Sequence, residues 1–109
     1  MERIPEKDWK TARSMFDGLL DLAFERIVDK ASGIINDDDA DSRDKYHKLR
    51  NTLRDEGKLL SSMFDDFKRS AAIMQISLWK HHGLLTDDQF AQFTPETRGG
   101  INSMLGIWR

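Results

Sequence analysis

Between Trp9 and Ile34 the apolar residues Trp9, Ala12, Phe16, Leu19, Leu20, Ala23, Ile27, Ala31 and Ile34 recur at steps of three and four. That spacing follows the 3.6-residue turn of an α-helix, so this part of the chain is predicted to be one helix with a single apolar side. Phe24, Val28 and Ile35 lie beside the stripe and widen it, which predicts contact with two neighbouring elements instead of one. Pro5 suits the first turn of such a helix, and Glu6 and Asp8 suit its positive end. Gly18 and Gly33 each weaken it by roughly 1 kcal/mol relative to alanine, so fraying is expected after Gly33.

The same period continues. Asp41 or Ser42 is a good N-cap for a second helix whose apolar face is Tyr46, Leu49, Leu53, Leu60, Met63, Phe64 and Phe67. Unbroken to His82 it would be about 60 Å long, too long for a domain this small. A break is therefore predicted at Asp65 and Asp66. "SAAIMQISLWKHH" is apolar nearly all round, the mark of a helix that is central or lies at an interface between subunits. Gly83 is placed to end it. Thr86 with Gln89 forms a capping box, and Thr94 followed by Pro95 starts a last, glycine-weakened helix. The whole reads as all-α: one domain, 1–109, with an antiparallel bundle of three longer helices and one or two short C-terminal ones.

Composition narrows the function. The chain has 109 residues, 39% hydrophobic and 33% charged, as expected of one folded domain. It has no cysteine, which removes disulfides, thiolate chemistry and cysteine-based zinc sites. No apolar run approaches the ~18 residues of a membrane span. "MERIPEKDWK" is polar where a signal peptide would be apolar, so a cytoplasmic protein without a membrane partner is expected. Charge is uneven: residues 36–42 carry four aspartates and no base, and residues 43–58 carry six Lys/Arg against three acids.

Motifs for chemistry fail when tested. A calcium loop starting at Asp37 finds Asp39 and Asp41 in place, but Ser42 replaces the required glycine and Lys48 the bidentate glutamate. Asp44 and His47 form a single D-x-x-H pair, and a di-metal bundle needs a second. His81 and His82, like Asp65 and Asp66, are neighbours that diverge by about 100° on a helix. Glycine-rich phosphate loops and nucleophile elbows do not occur. The expectation is a non-enzymatic protein with no cofactor and no metal.

Two binding surfaces remain. Arg43, His47, Arg50, Arg54 and Lys58 are spaced four, three, four and four, one basic line along the second helix that could track a phosphate backbone. No aromatic is interleaved on it to stack bases. A helix-turn-helix over "WKHHGLLTDDQFAQFTPET" would put the acidic "DDQFAQF" against phosphate, which repels it. Apolar surface beyond the needs of one bundle, around Ile73, Ile76, Trp79, Leu105 and Trp108, is expected to hold a protein partner, most simply a second copy in a homodimer. "FDDFKRSAAIMQ" followed by "HHGLLTDDQFAQFTPETR" resembles a family of small, uncharacterised bacterial all-helical proteins over residues 7–98. The resemblance implies a bacterial, soluble, helical protein and supplies no catalytic residues.

Overall fold

A computed structural model describes residues 3–108, and among them the order is all-α: α1 (Glu6–Ile35), α2 (Ser42–Phe64), α3 (Ala72–His81), α4 (Asp87–Ala91) and α5 (Pro95–Ile107). Helix α1 continues through Gly33 to Ile35 instead of fraying there. A Cβ on Gly18 or Gly33 would meet nothing within 4 Å. Gly18→Ala with Gly33→Ala is therefore expected to stabilise the protein by about 1–2 kcal/mol together, removing backbone freedom from the unfolded chain. Chemical denaturation reads this directly, and an unchanged midpoint would refute it.

Helix α2 starts where Asp41 caps it, its carboxylate accepting from the N–H of Asp44 (2.8 Å). It stops at Phe64, one residue before the predicted break, and Asp66 turns into the left-handed region (φ 52°). The carbonyls left without partners at its C-terminus are met by α3: Trp79 Nε1 donates to Met63 (2.9 Å) and Gln75 Nε2 to Asp65 (2.8 Å). Helix α3 closes on Gly83 (φ 74°), whose N–H donates to Lys80, while that of Leu84 donates to Trp79 (2.9 Å). The Thr86–Gln89 capping box of α4 forms in both directions. Thr94 occupies the N-cap position of α5 with Pro95 next, but its own hydroxyl does not cap; it donates to Asp8 of α1.

Helices α1 and α2 pack antiparallel: Lys30 meets Glu56, and Ala23 and Met63 line one groove. Helices α3 and α5 pack on each other beside the α1 N-terminal half. At their junction lies an aromatic cluster, with Trp79 against Phe64 (ring centroids 5.6 Å), Phe67 (5.3 Å) and Phe16 (6.1 Å), and Trp9 against Phe67 (4.7 Å). The helix predicted as the third long one has ten residues and is shorter than α5 with thirteen. The molecule measures 51 × 26 × 24 Å with a radius of gyration of 16.4 Å. A compact chain of this length would have about 13 Å. The excess comes from α1 and α2, whose far ends reach beyond the core as a two-helix arm.

Candidate interaction surface

The arm is defined by how little it buries. Between residues 24 and 62 only Ile34 is buried, whereas Ala12, Leu19 and Ala23 of the same α1 lie in the core. The apolar side chains needed for a core are nonetheless present on it. Phe24, Val28 and Ile35 on α1 and Tyr46 and Leu53 on α2 are all 45% or more exposed, Val28 reaching 65%. The widened stripe thus has its second neighbour only in its first half, where α3 and the 84–93 segment cover it.

The expected partner surface is corrected by burial. Ile76 and Trp79 have no exposed surface and belong to the chain's own core, so they present nothing to a partner. Ile73 is half-buried against Gly100, and Leu105 packs on the core. Trp108 is half-buried, its ring meeting that of His81 edge-on at 5.7 Å. An all-round apolar helix is either interior or interfacial, and the Ala72–Ile76–Trp79 side of α3 is interior because α2, α5 and the aromatic cluster close over it, while Met74 stays exposed. A groove of about 300 Å³ does remain between Pro5, Ile73, Gly100, Met104 and Ile107.

The basic line is present as spaced. Arg43, His47, Arg50, Arg54 and Lys58 are all exposed, and Arg54 alone makes an ion pair among the described residues, to Asp55 at 3.4 Å. The aspartates before it form a turn: the N–H of Asp39 donates to Asp37 Oδ1 (3.0 Å), and Asp41 is spent on the α2 cap. Asp44 and His47 both lie exposed, and no three His, Asp or Glu side chains converge on a common point among the described residues.

On the opposite side of the arm, Ala23, Ile27, Leu59, Leu60, Met63 and Leu84 floor a groove of about 340 Å³. Its charged rim is already engaged. Lys30 Nζ donates to Glu56 at 2.7 Å, and Arg26 donates to the carbonyls of His82 (3.1 Å) and Gly83 (2.8 Å), serving the negative end of α3. His82 titrates below its ordinary 6.5, through burial first and the neighbouring His81 second, against the pull of Glu56. No family model, curated protein or solved structure matches the chain. No helix among the described residues is long and apolar enough to cross a membrane.

The exposed arm residues were only partly legible. Phe24, Val28, Ala31 and Ile35 recur at four, three and four, a second stripe rotated from the first, and that signal was available. Which stripe would be covered depended on where α3 and α5 fold back.

Proposed function

We propose that this is a non-enzymatic bacterial, cytoplasmic protein that acts by binding protein, beginning with a second copy of itself as a homodimer. The observation that carries the reading is the arm: two long helices with one buried residue between positions 24 and 62 and five large exposed apolar side chains. Most helix stability in proteins comes from tertiary packing of an apolar face. A patch of this kind commonly marks a protein-binding surface. Among the described residues, the buried carboxylate of Asp8 accepts from Thr94 at the start of α5, a structural task that favours a non-catalytic role. Light scattering over a concentration series is expected to show mass rising from the 12.6 kDa of one chain toward twice that value. A constant monomer mass would end the homodimer.

A second reading, a nucleic-acid-associated regulator, is favoured by the exposure of Arg43, His47, Arg50, Arg54 and Lys58 along one side of α2. It requires DNA or RNA binding that weakens with salt and with Arg50→Glu and Arg54→Glu. Absence of binding at low salt would remove it.

A further inference from the structure

We infer that the acidic turn and the basic line are two halves of one self-complementary interface, and that two copies join arm to arm about a two-fold axis parallel to the helices. This rests on the homodimer reading above and specifies its surface and its symmetry.

The placement follows from the helix period, about 100° per residue. On α1 the residues turned toward α2, Ala23, Ile27 and Ile34, are followed about 100° further round by exposed Phe24, Val28 and Ile35. On α2 the residues turned toward α1, Glu56, Leu59, Leu60 and Met63, are followed about 80° further round, in the same sense, by exposed Tyr46 and Leu53. Because the helices are antiparallel, offsets of the same sense open onto the same face. The five exposed apolar side chains therefore form one strip along the middle of that face.

Charge flanks the strip asymmetrically. Further round α1, on the outer edge, lie Asp21, Glu25 and Asp29, all exposed. On the outer edge of α2 lie Arg43, His47, Arg50, Arg54 and Lys58. Two copies can meet face to face about a two-fold axis across the helices or along them. An axis across them sets acidic edge on acidic edge and basic on basic. An axis along them sets α1 of each copy on α2 of the other, so unlike edges meet at both rims. Heights along the arm are then preserved. The Lys30–Glu56 contact puts Arg54 and Lys58 level with Asp29, and puts Arg43 and Arg50 level with the end of α1 and the turn bearing Asp37, Asp38 and Asp39. Charge complementarity thus selects a second copy, in one orientation.

The size of the face sets the strength. From Leu20 to Ile35 it is about 23 Å long and two helix diameters, about 20 Å, wide. Two such faces bury on the order of 1,000 Å², the lower bound for a specific interface. Association is therefore expected at micromolar concentrations.

Sedimentation velocity over a wide micromolar range, with circular dichroism to confirm folding, tests the arrangement. Val28→Asp, at an exposed position, is expected to weaken the dimer at least about tenfold by burying a charge in the strip. Arg50→Glu/Arg54→Glu and Asp29→Lys/Asp37→Lys/Asp38→Lys should each be monomeric alone. An equimolar mixture of the two should dimerise again, since each reversed edge then faces its complement. Variants that dimerise as tightly as the native chain would place the contact elsewhere and overturn this surface while leaving the homodimer. Charge variants that weaken singly but are not restored on mixing would overturn the axis. A native chain that stays monomeric throughout ends both proposals.

Discussion

Replacing Trp79 with alanine is expected to destabilise the protein by about 4 kcal/mol, the cost of deleting a fully enclosed large aromatic side chain. The indole has no exposed surface and lies among Phe16, Phe64 and Phe67. Its removal opens a cavity at the junction where α1, α2 and α3 meet, and those rings cannot collapse into it without leaving their own contacts. A second cost adds to the first, because Trp79 Nε1 supplies the donor for the Met63 carbonyl at the end of α2. For a domain of this length total stability is roughly 5–16 kcal/mol, so the variant should sit near its folding threshold. Thermal denaturation should show the midpoint falling by roughly 15–25 °C. Trp79→Phe separates the two contributions: it keeps most of the apolar volume, loses the donor and should cost about 2 kcal/mol. A loss under about 1 kcal/mol for the alanine variant would mean that the indole does not hold these helices together.

The double role of Trp79 shows where the sequence stops being informative. Local chemistry was readable. Asp41 caps α2, Thr86 and Gln89 close their capping box, Gly83 ends α3, and the break falls beside Asp65, because each of these depends on residues a few positions apart. The apolar period fixed the helices for the same reason. What was hidden are the helix ends satisfied from elsewhere in the chain. Trp79 reaches back 16 residues to α2, Arg26 reaches 57 forward to Gly83, and Asp8 reaches 86 forward to Thr94. No spacing rule links such positions. Burial was ambiguous in the same way: Ile76 and Trp79 looked like surface for a partner because an apolar helix can face a subunit or its own core, and only the packing of α3 decides. Val28 and Ile35 widen a stripe as core residues do, yet no element among the described residues folds back far enough to cover them.

Asp8→Ala is the second large effect expected, about 3 kcal/mol, and it acts on α5 although the substitution lies in α1. The Asp8 carboxylate has no exposed surface and accepts the Thr94 N–H (3.0 Å), the Thr94 hydroxyl (2.6 Å) and the Thr97 hydroxyl. Alanine would leave three donors at the start of α5 without an acceptor, that of Thr97 buried and the two of Thr94 partly so, and bonds to a charged acceptor are worth about 1.5–3 kcal/mol each when intact. The pH dependence carries the signature of this arrangement. Burial, the largest single influence, raises the carboxyl's titration, but the Thr94 and Thr97 hydroxyls and the Thr94 N–H, helped by Lys7, outweigh it and hold the group below its ordinary 3.8. The folded state thus favours the carboxylate more than the unfolded chain does. The resulting stability is complete above 3.8 and is lost as pH falls through the lowered folded value. Asp8→Asn keeps one acceptor oxygen and cannot ionise, so its deficit against the native protein should be largest near neutrality and shrink below 3.8. Urea denaturation of both proteins across that range measures the difference. A deficit that stays constant with pH would mean that the shape of the side chain, and not its charge, anchors α5 to α1.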